Sequence, residues 1–440
     1  MLVRGPRKAM SPTFRALRNR NYRLYAAGGV VSNTGTWMQR VAQDWLVLQL
    51  HHGSAASAST ALGITTGLQF LPILLLSPYA GLVADRFSKR RLLQVTQAWL
   101  GLSGLLLGVL AVTGVVESWM VYAVAFTFGI GAAFDAPARQ AFVSEMVDHD
   151  DLSNAVGLNS ASFNLARVVG PALSGSLIAV LGSGVRATGL VILVNAVSYL
   201  AVIGALQLMR TDELAPAVRA PRGKGMIRDG IRYVRSRPDL KLILVAVFFA
   251  GTFGMNFQMT SALMATQVFD KGPGEYGLLG STLAIGSLTG ALLGARRVGR
   301  PRLRLVILAG LAFGTVEIVL GLMPSYVAFA ALTPLLGLSL LTMLNAANTT
   351  VQLSVSPSIR GRVMALYMML VMGGTPLGAP IVGWVGATFG ARWTLIGGGA
   401  MSVIGVLLAV LAFGGVTRSQ LRWPSQRADT EANTDEAMAA

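Results

Sequence analysis

Stretches of about 20 apolar residues recur along the whole chain, and no other feature restricts the fold as strongly. A stretch of this length crosses a bilayer core of roughly 30 Å as one α-helix. Charged residues make up only 12% of the chain, about half of the roughly 25% that is usual in soluble proteins. The sequence therefore predicts an all-α membrane protein. Its twelve predicted transmembrane helices cover residues 24–50, 57–83, 92–116, 119–138, 155–182, 187–209, 240–268, 275–295, 303–322, 326–353, 362–388 and 392–415.

The basic residues fall on one side of these predicted helices. With both termini placed in the cytoplasm, three of the 36 Lys and Arg residues lie in outer loops (Arg186, Lys271, Arg392) and two lie inside helices (Arg40, Arg167). All the others are cytoplasmic, as the positive-inside rule requires. The net charge of +17 therefore predicts a multi-pass protein of the inner cell membrane that contacts an anionic inner leaflet. It does not predict binding to nucleic acid.

Several kinds of site are excluded or not predicted. The chain has no cysteine, so it has no disulfide, no thiolate nucleophile and no Cys-ligated metal. His51 and His52 lie in an outer loop and His149 lies in an inner one, and no metal site is predicted. No nucleophile lies beside a base, and no phosphate-binding loop is present, so we expect neither an enzyme nor a cofactor. The first predicted helix is too long for the apolar part of a cleavable signal peptide.

The predicted organisation has five parts. They are a basic cytoplasmic N-terminal segment (1–23), a first six-helix bundle (24–209), a cytoplasmic linker (210–238), a second six-helix bundle (239–415) and a disordered cytoplasmic tail (416–440). Within the linker, residues 225–237 place Ile and Val on one helical face and Arg on another. That pattern predicts an amphipathic helix on the inner membrane surface, although a solvated helix would show it too.

The two bundles resemble each other in sequence. "GPALSGSLIAVLG" (170–182) aligns with "GAPIVGWVGATFG" (378–390), and three glycines match. An even number of helices in each half keeps the two repeats parallel. Transporters with parallel repeats place the substrate site near the membrane midplane, between the halves.

A loop motif points to a family. "GLVADRFSKRRLL" (81–93), between the second and third helices, resembles the loop signature of the major facilitator superfamily. Gly81, Asp85, Arg86 and Arg90 fit the signature, while Ser88 replaces a glycine. The resemblance implies the major facilitator fold and a gating loop. Its Asp85 would engage the start of the eleventh helix, near 358–362, and favour the state closed to the cytoplasm.

The fifth helix adds a second resemblance. "ARVVGPALSG" (166–175) is similar to the fifth-helix signature of the antiporters in that superfamily, with Gly170, Pro171 and Gly175 in matching positions. Ala166, Gly170 and Ser174 form a stripe of small residues that allows close helix packing. We expect this stripe to meet a partner stripe on the eighth helix, made of Gly286, Gly290 and Gly294.

A finer resemblance concerns the branch of the superfamily. "FDAPARQAFVSEM" (134–146) and "TWMQRVAQDWLVLQL" (36–50) look like the drug/proton antiporter branch that includes macrolide efflux proteins and the enterobactin exporter. One motif of many drug/proton antiporters is missing, because Ala125 occupies the position of their fourth-helix Arg. A coupling scheme that depends on this Arg is therefore not expected here.

Charged residues inside the first helix predict a functional site. Asn33, Trp37, Arg40 and Asp44 fall within about 60° of one another on this helix. A charge inside a membrane is costly and usually functional. Arg40 and Asp44, spaced i,i+4, can pair, and the resemblance points the stripe toward a central cavity. The alternative places Asp44 at the outer interface, with Trp45 in the aromatic belt.

Other polar residues extend the predicted site. On the fifth helix, Asn164 and Arg167 share a stripe, and Arg167 is placed near mid-membrane. Three further candidates are Asp135, paired with Arg139, and Glu317 in the ninth helix. The second half is expected to contribute cavity-lining residues, although ordinary hydrogen bonds between helices could also explain them: Asn256, Thr260, Asn345 and Gln352.

These features predict a secondary transporter. We expect it to export amphiphilic small molecules (a drug, a secondary metabolite or a siderophore) by proton-coupled alternating access, as a monomer in contact with membrane lipids. A lipid or lysolipid translocase on the same fold is the alternative. The arginines suit an anionic substrate and the aromatic residues suit a lipophilic one, so the sequence leaves the substrate open.

Overall fold

The computed structural model describes residues 12–215, 226–296 and 303–420, and within these ranges it is helical. Two π-helical turns, Ala250–Gly254 and Met264–Val268, interrupt the seventh predicted transmembrane helix. The α-helices are α1 Arg20–Leu50, α2 Ala55–Arg86, α3 Lys89–Thr113, α4 Ser118–Met146, α5 His149–Val180, α6 Val185–Gln207, α7 Met226–Ser236, α8 Pro238–Phe249, α9 Phe257–Leu263, α10 Pro273–Ala295, α11 Leu303–Leu322, α12 Tyr326–Ser354, α13 Pro357–Gly373, α14 Thr375–Phe389 and α15 Ala391–Gln420.

Eleven segments in the described part are long and apolar enough to cross a membrane. They are Ala55–Ser77 of α2, α3 to α6, Pro238–Val268, α10, α11, α12, Ile359–Phe389 and Ala391–Gly414 of α15. The predicted count of twelve is therefore not confirmed. The predicted helix that is not among the eleven is α1. It is 31 residues long but carries Arg, Asp, Asn and Gln side chains among its apolar residues.

Several predicted boundaries shift, and a capping hydrogen bond explains the shift of the first helix. α1 begins at Arg20, inside the predicted N-terminal segment 1–23, because the Asn19 side chain accepts a hydrogen bond from the Tyr22 amide at 3.1 Å and caps the helix. The eleventh predicted helix, 362–388, is two helices that meet at Gly374. α7 lies in the predicted linker 210–238, whose residues 216–225 fall outside the described part, as do 421–440 of the predicted tail.

The helices form two bundles in chain order. In the first half α1 packs on α5 and α6, α2 on α4, and α3 on α6. In the second half α10 packs on α12, and α11 on α12 and α15. The halves meet along two helix pairs, α2 with α14 and α5 with α10. Large apolar side chains cover the outside, such as Val180 and Leu411, as contact with lipid chains requires.

The stripe of small residues on α5 packs on α1, so the predicted partner was wrong. A Cβ at Gly170 would lie 2.6 Å from the Trp37 Cβ and 2.9 Å from the Thr34 carbonyl oxygen of α1. The Ser174 hydroxyl donates to the Met38 carbonyl of α1 at 2.9 Å. Since small residues allow close approach by whichever helix is adjacent, the stripe alone could not identify its partner.

The contact between α5 and α10 uses other residues of the same motif. A Cβ at Gly175 would lie 3.1 Å from the Gly277 Cα, and one at Gly280 would lie 2.9 Å from the Pro171 Cβ. Pro171 and Gly175 therefore face the second half of the protein. The motif that resembles the antiporter signature presents one face to α1 and the adjacent face to α10.

The predicted α10 stripe also meets a different neighbour. Gly286 lies against the backbone of Pro334, and a Cβ at Gly290 would lie 2.8 Å from the Leu338 carbonyl oxygen, both on α12. Gly294 is looser, because its nearest neighbour would be the Asn345 Nδ2 at 3.8 Å. Gly286 and Gly290 thus hold α10 to α12 within the second half.

We expect Gly286→Ala to destabilise the second half, because its methyl group would overlap the Pro334 backbone, which cannot rotate away. Overpacking of this kind costs about 1–3 kcal/mol. Gly294→Ala is the matched control and should be neutral or slightly stabilising, since alanine favours helix by about 1 kcal/mol over glycine. Thermal unfolding in detergent compares the two variants, and equal melting temperatures would contradict the proposed contact.

Candidate functional site

The Trp37 indole on α1 lies between two arginines. The Arg40 Cζ is 4.6 Å from the centroid of the indole and 5.7 Å from that of Phe70 on α2. The Arg167 Cζ, from α5, is 5.6 Å from the Trp37 centroid. Phe163 packs edge-on against Trp37 at 5.8 Å. Cations over aromatic faces are attracted by the ring quadrupole. We call Trp37, Arg40 and Arg167 the Trp37 cluster.

The predicted pair of Arg40 and Asp44 does not form an ion pair; the two side chains bind different partners. The Asp44 carboxylate accepts a hydrogen bond from the Tyr276 hydroxyl of α10 at 2.7 Å. Arg40 instead extends over Trp37, because helical side chains point back toward the N-terminus of their helix. Spacing along α1 placed both charges on one face but could not identify their partners.

The arginines of the Trp37 cluster have no carboxylate partner. Within the described ranges, neither guanidinium lies within 4 Å of a carboxylate oxygen, and the Arg40 Nε is buried without a hydrogen-bond partner. Nearby polar residues of the predicted site do not neutralise them. Asn164 donates to the Ser160 carbonyl of its own helix at 2.8 Å, and Asn33 lies half-buried two helical turns before Arg40.

The two halves are hydrogen-bonded at the end of the bundle that holds the α1–α2 connection. Besides the Asp44–Tyr276 bond, the Gln267 amide donates to the Ala55 carbonyl at 3.1 Å. Asp44 is 6% exposed, and Trp45 is 5% exposed and donates to the Ser183 carbonyl at 2.9 Å. Both residues are therefore packed against neighbouring helices and connections and do not face lipid.

Asp135 lies in a separate polar network within the first half. Its carboxylate accepts hydrogen bonds from Thr96 at 2.8 Å, Gln97 at 2.7 Å and Arg139 at 2.5 Å. The predicted i,i+4 pair with Arg139 is thus confirmed as a salt bridge. With three donors from α3 and α4, this carboxylate is well satisfied, which favours a structural role.

Glu317 is a buried acid of the second half. Its side chain on α11 is 1% exposed, and its Oε2 has no hydrogen-bond partner. Two glycines make room for the carboxyl group: a Cβ at Gly254 would lie 2.8 Å from Oε2, and one at Gly398 would lie 3.1 Å from Oε1. Glu317 therefore lies inside the second half, beside the first π-helical turn, and apart from the Trp37 cluster.

The predicted cavity wall of the second half is only partly accessible. Asn256 and Thr260 are buried and bond within their own segment, to the Thr252 carbonyl at 2.9 Å and the Phe257 carbonyl at 3.3 Å. They do not face open space in this conformation, contrary to the prediction. Asn345 is half-buried, and the exposed Gln352 donates to the Asn348 side chain at 2.9 Å.

Residues of the predicted gating loop lie in two different surroundings. Arg90 donates to the Leu206 carbonyl at 2.6 Å and the Gln207 carbonyl at 3.3 Å, so it caps the C-terminus of α6 within the first half and does not reach the second. Asp85 and Arg86 lie exposed at the end of α2, which packs near α13, the helix predicted to meet this loop. A Cβ at Gly81 would meet no atom within 4 Å.

Sequence reasoning missed two partners. Tyr276 donates a hydrogen bond to Asp44, and Phe70 contacts Arg40. Tyr276 lies in the first turn of α10, in "PGEYGLLG", where the nearby glycines signalled close packing but nothing signalled a bond to α1. The salt bridge between Lys89 and Glu145 was also missed. Their side chains are nearly buried, and the two charged atoms lie 2.7 Å apart.

Comparison with solved structures supports the architecture. A bacterial homolog of the human lysosomal transporter Spinster, solved in an inward-facing and occupied conformation, superposes with a TM-score of 0.68 at 17% identity, covering 90% of this chain and 97% of that one. A D-xylose–proton symporter gives a TM-score of 0.66 at 12% identity, covering 89% and 96%. Both likenesses concern the fold.

Similar sequences are named as efflux proteins or transporters. The multidrug efflux pump Tap of Mycolicibacterium fortuitum is 28% identical over 88% of this chain and 93% of its own. Macrolide efflux protein A of Streptococcus pyogenes is 22% identical over 89% and 95%. The staphyloferrin A transporter of Staphylococcus aureus (strain NCTC 8325 / PS 47) is 33% identical over 33% and 36%. The predicted resemblance to macrolide efflux proteins is confirmed.

The family model described as "transmembrane secretion effector" matches residues 11–438, nearly the whole chain. Together with the two helical bundles and the relatives, this match identifies a transport protein and not an enzyme. The chain belongs to the transmembrane secretion effector family of the major facilitator superfamily.

Proposed function

We propose that the protein exports amphiphilic small molecules from the cytoplasm by alternating access driven by a proton gradient. The observation that carries the proposal is the position of the Trp37 cluster and Asp44. The cations, the Trp37 indole and one carboxyl group lie on α1 and α5 of the first half, and the carboxyl group is hydrogen-bonded to Tyr276 of α10 in the second half. A site that both halves share is what alternating access requires, because movement of one half against the other opens it to either side.

The proposal includes a topology. α1 serves as the first of twelve spans, since its buried Gln39, Gln43 and Asp44 face other helices and not lipid. Both termini lie in the cytoplasm, and the protein acts as a monomer in the inner cell membrane. The Asp44–Tyr276 end of the bundle is then the outer side. Because the chain has no cysteine, Ser54→Cys should react with an impermeant maleimide from outside and Ser236→Cys only after permeabilisation; the reverse pattern would contradict this orientation.

The function is tested with the purified protein in liposomes loaded at one pH and diluted into another. We expect a lipophilic fluorescent probe such as ethidium to accumulate only in liposomes that contain the protein, and only while the pH gradient persists. Nigericin, which collapses the gradient, should return the probe to the level of protein-free liposomes. Accumulation that survives nigericin would refute proton coupling, and equal accumulation without protein would refute transport of the probe.

A further inference from the structure

The Trp37 cluster contains two positive charges that no residue in the described part neutralises. Both guanidinium groups lie beside one indole, and the nearest acid on α1, Asp44, is hydrogen-bonded to Tyr276 instead. Like charges in a poorly solvated region repel each other strongly. Since a buried charge without a partner is costly, the cluster has a net affinity for negative charge.

The geometry restricts the chemistry of the anion. Guanidinium groups bind carboxylates and phosphates through pairs of parallel hydrogen bonds. The buried Arg40 Nε still lacks an acceptor. Around the arginines stand the aromatic rings of Trp37, Phe70 and Phe163, which fit an apolar body and not a bare inorganic ion.

Open space reaches the cluster from the α5 side. Phe163, packed edge-on against Trp37, is 47% exposed, and Arg167 beside it is half-buried. A ligand can therefore approach the guanidinium of Arg167 first and contact Trp37 afterwards. The opposite approach, past Asp44, is obstructed by its bond to Tyr276.

We propose that Arg40 and Arg167 form an anion-binding subsite that holds the carboxylate of an amphiphilic substrate, with its apolar body against Trp37, Phe70 and Phe163. This inference rests on the proposed export function and names its substrate class. Anionic lipid is the other source of an oxyanion near this site, through its phosphate headgroup, and the test separates the two.

The test compares two probes that share one aromatic body, 1-pyrenebutyrate and its methyl ester, binding to the purified protein in neutral detergent at pH 7.5. We expect the acid to bind at least about tenfold more tightly than the ester, because hydrogen bonds to charged groups contribute more than neutral ones. Arg167→Gln should remove most of this preference and leave binding of the ester unchanged. Arg167→Lys should restore it only in part, since lysine keeps the charge but not the planar fork.

Arg186→Gln is the control, because it removes the same charge from an exposed residue in the α5–α6 region; it should bind both probes as the wild type does. Equal affinity of the wild type for acid and ester would overturn the subsite. So would an Arg167→Gln variant with a wild-type melting temperature and a wild-type preference for the acid. Release of bound acid by equimolar phosphatidylglycerol, but not by phosphatidylcholine, would assign the subsite to lipid and overturn the substrate class.

The two proposals fail separately. If the liposomes accumulate ethidium but the protein binds acid and ester equally, export stands and the anionic subsite falls. If the acid binds with the expected preference while no probe is accumulated in response to a pH gradient, the subsite stands and the export function falls.

Discussion

Replacement of Asp44 by Asn is expected to abolish proton-driven accumulation of substrate while leaving substrate binding within about threefold of the wild type. Asp44 is the intramembrane acid, among those described, that links the two halves, through the Tyr276 hydroxyl of α10. When the halves separate at this end, the carboxyl group is exposed to water and can exchange its proton. Asparagine keeps a carbonyl acceptor for Tyr276 but has no proton to exchange.

The surroundings of the other two candidate acids make them less suited than Asp44 to couple proton transfer to movement of the halves. Asp135 already accepts three hydrogen bonds inside the first half. Glu317 is enclosed inside the second half, between the backbones of Gly254 and Gly398. Neither contacts the opposite half in the described structure, so neither can transmit its protonation directly to the contact between the halves.

The measurement is uptake of the probe by liposomes under a fixed pH gradient. The expected loss exceeds tenfold, down to the protein-free level. Tyr276→Phe is the matched control: it removes the hydrogen bond between the halves but keeps the acid, so it should change the rate and preserve dependence on the gradient. Uptake by the Asp44→Asn variant at the wild-type rate would move the coupling role to Glu317 or Asp135, and the variant Glu317→Gln or Asp135→Asn would then lose uptake.

Hydropathy and charge placement predicted most of the fold because they report burial in lipid directly. The loop motif at 81–93 and the match of 170–182 with 378–390 predicted the superfamily and its two halves. The interruptions of the helices were missed, since a π-helical turn leaves the apolar run at 240–268 unbroken. The break at Gly374 had a signal, "GGTP", in which two glycines precede a proline, but hydropathy hides it.

The sequence predicted only part of the site, because a sequence pattern describes one helix and not its neighbours. Helical periodicity placed Trp37, Arg40 and Asp44 on one face, and two arginines do meet at the indole. Periodicity describes one helix at a time, so it could not show that Tyr276 of a distant helix binds Asp44. Stripes of small residues have the same limit, because they predict close contact without naming the partner.

Asp135→Ala is expected to lower the free energy of unfolding by about 3–5 kcal/mol. That is the usual cost of removing one partner of a buried ion pair, because the other charge remains buried and unpaired. Here the remaining charge is Arg139, whose side chain is 18% exposed. The loss also leaves Thr96 and Gln97 of α3 without their shared acceptor, and Gln97 in turn accepts from Ser32 of α1 at 3.2 Å.

Thermal unfolding in detergent tests whether Asp135 stabilises the fold or instead takes part in transport. Asp212→Ala, at an exposed residue, is the control and should change stability by no more than about 0.5 kcal/mol. The double variant Asp135→Leu/Arg139→Met should recover most of the lost stability, because replacing both ions by apolar side chains removes the unpaired charge. If Asp135→Ala unfolds at the wild-type temperature, the carboxylate does not hold α3 to α4. A variant that keeps its stability but loses transport would instead assign proton coupling to Asp135. In that case its three hydrogen bonds would have to break and re-form during the transport cycle.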